Sequence, residues 1–407
     1  MSVGIFSSFN FTTDTARKSF AAQFIRLMPN GTAPLFGMTG MMSEEIAAQV
    51  EHGFFTKTML FPQLVLSANI SATDTVLNVT TTTNVLPGMV MRVSSGSFEN
   101  VLINTVLSLT QVAVVRGVGS IPPAAALSGV ALYQVGNAFE ESSIRPQALA
   151  INPVRITNLT QVFRNTWAIS GSVAATQMIV GDTNIAENRT DCAAFHAADI
   201  EKMLFFGQKG TSFRNGQPFR LADGLISIVG NLSFYPPSYS AANINTAAAT
   251  TNYTQLEGFL DPCFNQTTDP KYGNERILIV GGIARRVINN IGRTNGTYFL
   301  QSGQTDFGLQ FDSFRIARGT FRMIEHPLFN SNPAWAAMAV AVDLPTFNVA
   351  YLGNRKTVNK EFNAEGSLVT DNGIDAVGGT LTTELTTLVK NPPANAVIYG
   401  LTASAIG

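Results

Sequence analysis

The sequence predicts a mixed α+β fold with a small all-β domain inserted near the N-terminal end. Three observations predict this class. Short β-type runs recur between Leu64 and Val135 at a spacing of about a dozen residues, which is typical of a small barrel or sandwich. Helical patterns with capping residues occupy the middle of the chain, and strands dominate again after Phe311.

Composition excludes several classes of protein. The 407 residues include 26 Lys or Arg and 27 Asp or Glu, for a net charge of -1, and 45% are hydrophobic. Such hydrophobicity excludes a disordered chain, and the near-zero charge argues against a protein held on nucleic acid by phosphate neutralisation. The apolar runs are shorter than the roughly 18 residues that span a bilayer, so we expect no membrane helix. Only 13% of residues are charged, about half the roughly 25% of typical domains, and such a surface suits burial against other subunits.

The cysteines and the N-terminus indicate synthesis in a reducing cytoplasm. Cys192 and Cys263 are too few for a disulfide framework and too far apart for a metal-binding pair, so we predict two buried thiols. The first ten residues lack the basic and apolar order of a signal peptide. We expect no cofactor and no metal.

An amphipathic helix is predicted from Thr13 to Met28, with Asp14 as its cap and Pro29 after its end. Its apolar face consists of Phe20, Phe24, Leu27 and Met28. This helix is either an arm that packs on a neighbouring subunit or a surface helix of its own domain.

A second helix is predicted from Ser43 to Phe54, because Ser43 can cap it and Ile46, Val50 and Phe54 recur every four residues. A long helix is predicted from about Asn188 to Phe206, followed by Gly207. Its predicted buried stripe comprises Ala193, Ala197, Ile200 and Leu204, with Asp199 and Lys202 on the wetter side. His196, beside the stripe, fits a hydrogen-bonded packing residue better than a ligand.

Helix and strand alternate in the remaining chain. Asn252 can cap a helix that ends near Pro262, and the strand Ile277 to Val280 leads through Gly281-Gly282 into a helix that Gly292 would close. The later predicted strands are Phe314 to Ile324, Met338 to Val342, Phe347 to Leu352 and Ala396 to Thr402.

No motif with a catalytic mechanism is present, so we do not expect an enzyme. Gly281-Gly282 could offer a helix N-terminus to a phosphate but lacks the glycine spacing of a dinucleotide site, which favours a structural turn. Glu140 and Glu141 are adjacent on an extended segment and so point to opposite faces. Arg315, Arg318 and Arg322 form a basic run whose members we expect to make ion pairs across an interface.

Five stretches of the sequence carry a resemblance to a known family. The stretches are Arg155 to Ser172 (RITNLTQVFRNTWAISGS), Asp199 to Gly210 (DIEKMLFFGQKG), Ala339 to Gly353 (AVAVDLPTFNVAYLG), Val397 to Leu401 (VIYGL) and Val112 to Gly117 (VAVVRG). Occurring together and in this arrangement, although none is specific alone, they resemble the major capsid proteins of tailed bacteriophages with the HK97-like fold, specifically the SU10-like group. The match covers roughly residues 74 to 407.

The resemblance implies an order of domains. These are an N-terminal arm and helix (1–63), the inserted β domain (64–136), an extended-loop region (137–187), a spine helix (188–220), an axial domain (221–303), peripheral-domain strands (304–362) and a C-terminal return to the axial domain (363–407). The arm residues named above, together with Arg315, Arg318 and Arg322, are then candidates for contacts between subunits.

The resemblance also implies a function. Copies would associate as pentamers and hexamers, in the host cytoplasm, into an icosahedral virion shell that encloses double-stranded DNA without sequence-specific binding. Other capsid, portal or decoration proteins would be its partners, and no membrane would be involved. Two other classes stay open: a β-rich virion or cell-surface binding protein, which the insert and the Asn-X-Ser/Thr sequons favour, and a cytosolic enzyme, which the strand, Gly-Gly and helix unit favours.

Overall fold

The computed structural model describes residues 34–40, 44–57, 62–96, 98–148, 153–175, 184–236, 239, 241–266, 274–294, 301–306, 309–363 and 374–404. The helices in these ranges are α1 (Pro34–Gly40), α2 (Gly171–Ala175), α3 (Asn184–Phe206), α4 (Leu225–Gly230), α5 (Tyr253–Leu260), α6 (Gly282–Thr294) and α7 (Pro333–Ala336). The predicted arm at 13–28 lies outside the described residues.

The strands fall into two groups along the chain. The first group is β1 (Glu45–Ala47), β2 (Glu51–Thr56), β3 (Gln63–Val65), β4 (Val76–Asn78), β5 (Met89–Val93), β6 (Asn100–Ser108), β7 (Gln111–Val115), β8 (Ala131–Asn137), β9 (Val154–Leu159), β10 (Gln161–Ser170), β11 (Gly210–Arg214) and β12 (Gln217–Leu221). The second group is β13 (Ile244–Thr246), β14 (Glu275–Val280), β15 (Gln301–Asp306), β16 (Leu309–Arg315), β17 (Thr320–Glu325), β18 (Ala339–Val342), β19 (Phe347–Leu352), β20 (Val358–Phe362), β21 (Ala376–Val389) and β22 (Ala396–Tyr399).

The chain forms two compact units: residues 1–54 with 155–407, and residues 55–154. The second unit contains a six-stranded antiparallel sheet in the order β3-β8-β5-β6-β7-β4. A bridge between Leu66 and Val79, just beyond β3 and β4, joins its two ends, so the sheet closes into a barrel without open edges. Alternate residues of each strand, such as Met89, Met91 and Val93, fill its apolar core.

The first unit contains two larger sheets. One has the order β1-β19-β21-β10, with β20 also paired to β21. The other has the order β13-β22-β18-β14-β17-β16-β15. Its strand β14 is buried on both faces: Ile277 and Ile279 join one apolar core, whereas Leu278 and Val280 join a second core with helices α5 and α6.

Helix α3 lies in the core next to the first sheet. Ile200 and Leu204 are fully buried with Phe163 of β10 and Leu385 of β21, and the helix ends where the Gly207 amide donates to the carbonyl of Met203. The predicted stripe is only partly right. Ala193 is exposed, and the buried positions of the first half are Cys192 and His196 instead.

The predicted helix at Ser43 to Phe54 is wrong, because the structure has β1 and β2 there. Strand β1 pairs in parallel with β19, Glu45 lying opposite Ala350, and Ile46 is exposed. The side chain of Glu45 accepts hydrogen bonds from Asn348 and Lys390. Pairing with a strand three hundred residues away outweighs the local helical pattern.

Several later elements differ in extent from their predictions. The capped helix at Asn252 and the strand at Ile277 to Val280 are present, but α6 continues past Gly292 to Thr294. The single strand expected from Phe314 to Ile324 is a hairpin of β16 and β17. The predicted boundary at residue 304 does not fall between two sheets, because strands β15 to β18 share a sheet with β14. Strand β21 belongs to the other sheet, with β10.

We expect Leu204→Asp to abolish stable folding or to cost several kcal/mol, because an unpaired carboxylate would enter a fully buried apolar site. Lys202→Ala is the matched control: the Lys202 side chain is half exposed and its ion pair among the described residues is the exposed one with Asp199, so about 0.5 kcal/mol or less is expected. Chemical denaturation measures both. Equal stabilities of the two variants would contradict the placement of α3.

We expect the barrel to be dispensable for folding of the first unit. Gln63 lies opposite Tyr133 in the β3–β8 pair, so the ends of the insert are adjacent and a short linker can join them at a small entropic cost. The chain with residues 64–136 replaced by a Gly/Ser linker should unfold cooperatively in calorimetry. Loss of any cooperative transition would show that the first unit needs the barrel.

Candidate functional site

Histidine, cysteine and carboxylate side chains form no cluster that could hold a metal ion in the part of the chain that the structure describes. The three histidines are on separate elements. His52 lies 3.8 Å from Glu45, and His196 bonds to Asn165 (Nδ1 to Oδ1, 2.6 Å) and Thr383 (Nε2 to Oγ1, 2.7 Å). Burial lowers the pKa of His196, with Asp199 opposing the shift, so the neutral ring acts as the hydrogen-bonded packing residue that the sequence predicts.

The two cysteines are buried thiols, as predicted. Burial raises the pKa of Cys263 to about 12, so the thiol stays protonated at neutral pH and is a poor nucleophile. Burial likewise raises the pKa of Cys192. Neither residue is suited to nucleophilic catalysis.

The Gly281-Gly282 turn is structural. A Cβ atom at Gly281 would lie 2.4 Å from the carbonyl oxygen of Ala336, so only glycine allows this close backbone approach. The amide of Gly282, at the start of α6, donates to Oδ1 of Asn330 at 2.7 Å. The helix N-terminus that could have bound a phosphate is therefore capped by the protein itself.

A cavity of about 520 Å³ lies beside Tyr239, Asn243 and Asn265. Two of its amides are engaged in the framework: Asn243 donates to the carbonyl of Pro393 at 2.7 Å, and Asn265 accepts from Arg318 at 2.5 Å. No titratable pair with the geometry of a catalytic acid and base lies among its described lining residues.

The most highly organised polar site surrounds Glu201 of α3, which is fully buried. Its two carboxylate oxygens accept from the first amides of α1, those of Leu35 (2.9 Å) and Phe36 (2.7 Å). Oε1 also bonds to Nε2 of His326 at 2.7 Å. Because Nδ1 of His326 accepts from the amide of Leu328, Nε2 carries the proton and donates. Glu201 thus fixes the start of α1, the first described element of the chain, to the long helix.

A second buried carboxylate, Glu384 of β21, anchors the β11–β12 hairpin. Arg220 of β12 reaches its Oε1 at 3.0 Å and Arg355 reaches its Oε2 at 3.1 Å. Thr160 donates its hydroxyl to the same Oε1 at 2.9 Å. A carboxylate in such surroundings is satisfied and holds surface elements in place.

Large apolar side chains remain exposed outside these networks. In the first unit they include Ile46, Phe195, Phe213, Phe219, Leu221 and Ile374, and in the second Leu107, Leu109, Leu127, Phe139 and Ile144. Where such side chains form a contiguous patch they mark a surface for association, whereas single exposed apolar side chains are common on any protein.

The predicted contact residues have different outcomes. Phe20, Phe24, Leu27 and Met28 lie outside the described residues. Arg318 forms an ion pair with Asp261 (3.1 Å) and Arg322 with Glu275 (3.0 Å), both within the chain. Arg315 is exposed and makes no ion pair with the described residues. The sequence did not indicate Glu201 or Glu384, since nothing local marks a glutamate as buried.

Comparisons with known proteins identify one family along nearly the whole length. A family model described as SU10 major capsid protein matches residues 6–402. A major capsid protein of Pseudomonas phage PaMx41 is 33% identical over 406 residues, which cover 98% of this chain and 96% of that protein.

Among solved structures, the capsid of a native GTA particle has a TM-score of 0.46 at 8% identity, covering 98% of both chains. A structure of Mycobacterium phage Bobi has a TM-score of 0.46 at 9% identity, covering 95% of this chain and 96% of that one. Separately, none of the described helices combines the length and the apolar character needed to cross a membrane.

We expect Glu201→Gln to lower the free energy of unfolding by about 2 kcal/mol. The carboxylate accepts hydrogen bonds from three donors, whereas the glutamine side chain would point its own NH₂ donor at one of them and leave that hydrogen bond unmade. Hydrogen exchange at Leu35 and Phe36 should accelerate as α1 detaches. Asp199→Asn, on the exposed side of the same helix, is the control and should change neither quantity. Unchanged exchange at α1 in the Gln variant would contradict the anchoring role.

Proposed function

Because this chain belongs to the SU10 major capsid protein family, we propose that its copies associate as pentamers and hexamers and close into an icosahedral shell around packaged double-stranded DNA. The chain is a structural protein of the phage virion, a major capsid protein with the HK97-like fold that its sequence predicts. The match to residues 6–402 is the observation that carries this conclusion. It favours the capsid interpretation over a cell-surface binding protein or a cytosolic enzyme.

The role that we propose needs no catalytic step. The buried ionisable groups serve the framework: Arg276, for example, pairs with Asp343 at 3.2 Å and donates to the carbonyls of Ala394 and Cys263. Burial raises the pKa of Asp343 against the opposing effect of Arg276, so the pair is a structural staple in the core. Buried ion pairs of this kind hold a subunit rigid.

We assign the peripheral domain to the sheet of β1, β19, β21, β20 and β10 with helix α3. The axial domain is then the sheet of β13 to β18 and β22 with helices α5 and α6. Sheet membership supports this division better than the boundary at residue 304, since each sheet has its own strands throughout. Arg315 remains a candidate for contact with a neighbouring subunit, and portal or decoration proteins are candidate partners.

The proposal predicts that the full chain, overexpressed and purified, forms rings or closed shells in negative-stain electron microscopy. With few charges and many exposed apolar side chains, the chain should bury surface through a closed symmetric assembly. Light scattering at micromolar concentration measures the same assembly in solution. A monodisperse monomer that persists through changes of salt and crowding would contradict the proposal.

Truncation of residues 1–28 should leave a folded subunit that assembles poorly or into aberrant shells. Glu201 holds α1 from Leu35 onward, so the truncated chain keeps its anchor. Burial of four large apolar side chains of the arm on a neighbour would contribute on the order of 6 kcal/mol before ordering costs. Circular dichroism, calorimetry and microscopy separate the outcomes. Normal assembly, or failure to fold at low concentration, would each contradict an arm that acts between subunits.

A further inference from the structure

The β11–β12 hairpin, residues 210–221, is exposed along almost its whole length. Its strands meet at Asn215-Gly216, both with positive φ (52° and 72°), a two-residue turn that suits the twist of a hairpin. Phe213 is 72% exposed, and Phe219 and Leu221 are each 41% exposed. A two-stranded hairpin is at best marginally stable on its own in water, so one with both faces uncovered needs a partner.

Several hydrogen bonds hold the base of this hairpin to the rest of the first unit. Arg220 bonds to Glu384 and to the carbonyl of Thr160 (3.3 Å), the amide of Ala222 donates to Gln161 (3.0 Å), and that of Lys209 donates to Asp223 (2.7 Å). The tip is therefore presented in a defined position rather than on a loose loop. Presentation of this kind lowers the entropic cost of binding.

The hairpin is basic. Its charged residues are Arg214 and Arg220, and Lys209 directly precedes it. No acidic residue occurs between Gly207 and Ala222. Lys209 bonds to Thr157 and Arg220 is paired with Glu384, which leaves Arg214, next to Phe213, without an ion pair among the described residues. The tip thus combines an exposed aromatic ring with a positive charge.

A segment of the second unit has the complementary character. Residues 138–144 are all exposed and carry Glu140 and Glu141 between Phe139 and Ile144, the latter 90% exposed. The segment has a defined conformation: the amide of Ala138 donates to the carbonyl of Gly88 (2.8 Å), and that of Ser143 donates to the carbonyl of Glu140 (3.2 Å). It is an ordered, acidic and apolar surface.

We propose that the hairpin tip of one copy docks between side chains of residues 138–144 of a second copy of this chain, with Phe213, on one face of β11, against Phe139 and Ile144 and with Arg214, on the other face, beside Glu140 and Glu141. This inference rests on the proposed assembly, which supplies many copies at high local concentration. The two surfaces differ, so the contact is heterologous, and a heterologous contact closes into a ring when its rotation permits. Both surfaces would be covered by a single contact repeated around that ring.

Disulfide trapping between differently tagged copies tests the contact directly. Full-length chains with Arg214→Cys are mixed with chains carrying Glu141→Cys, under a mild oxidant, and mixed-tag dimers are counted on non-reducing gels. The native thiols are buried and give a low background. We expect several-fold more mixed dimer than in the control mixture of Asp199→Cys with Glu141→Cys. Equal yields would overturn the proposal.

Charge exchange and an aromatic control add an independent readout. Arg214→Glu alone, or Glu140→Lys with Glu141→Lys, should raise the concentration needed for assembly about tenfold, and the combined variant should restore it. Phe213→Ser should impair assembly, whereas Phe195→Ser, a comparably exposed ring on α3, should not. Equal behaviour of the two Ser variants, or no restoration by the combined variant, would contradict this contact.

The experiments separate this contact from the proposed function. Shells that form normally in the Phe213→Ser variant, without trapped mixed dimers, would overturn the contact and leave the capsid assignment intact. Trapped mixed dimers of the two Cys variants, together with a wild-type chain that never forms rings or shells, would support the contact and overturn the assembly. Capture of another protein by the hairpin, in place of mixed dimers, would also overturn the contact.

Discussion

Residues 200–205 of helix α3 are buried except for Lys202, and much of the first unit is organised by this constraint. Ile200, Met203, Leu204 and Phe205 point in different directions yet all lie in the same apolar core, which both large sheets help to form. Glu201 lies among them. A carboxylate at that depth must have its acceptors satisfied, so it fixes the start of α1 and the ring of His326, from distant parts of the chain, to one point.

The satisfied carboxylates share a pattern that explains how the chain keeps a rigid framework. Glu384 holds Arg220 and Arg355, and in the barrel Glu99 receives a two-pronged hydrogen bond from Arg116 (2.8 and 2.7 Å). Arg116 also donates to backbone carbonyls of neighbouring loops. Each pair is specific in geometry, and breaking one partner would leave a buried charge, so these pairs select one arrangement of loops.

How much of this fold could be predicted depended on whether its cause was local. The helix after Asn252 was predictable because Asn252 and Gln255 form a capping box, and the strand before Gly281 was predictable from its apolar run. The segment at 43–54 was not, since its strand exists only by pairing with β19. The stripe of α3 was misplaced because the helix is mostly exposed in its first half and buried on most sides near its end, so it has no single apolar face.

The same distinction applies to the candidate sites. The resemblance to capsid proteins was visible in sequence because the family match extends over residues 6–402, whereas the contacts between copies involve side chains whose exposure only the fold determines. Phe195 and Phe205 are both phenylalanines of the same helix, yet Phe195 is exposed and Phe205 is fully buried. Arg318 and Arg322 appeared to be interface residues because their partners, Asp261 and Glu275, lie far away in sequence.

The low charge of the chain acquires a physical meaning once the charges are located. Several of the few that exist are internal, as in the pairs of Arg116 with Glu99 and Arg276 with Asp343, so the outer surface carries fewer than the composition suggests. Bringing two such surfaces together removes few ions from water, and desolvation of charge is one of the terms that oppose association. Near-neutral copies also repel one another weakly. A modest number of exposed apolar side chains can then hold neighbouring copies together, and directional polar pairs determine which surfaces meet.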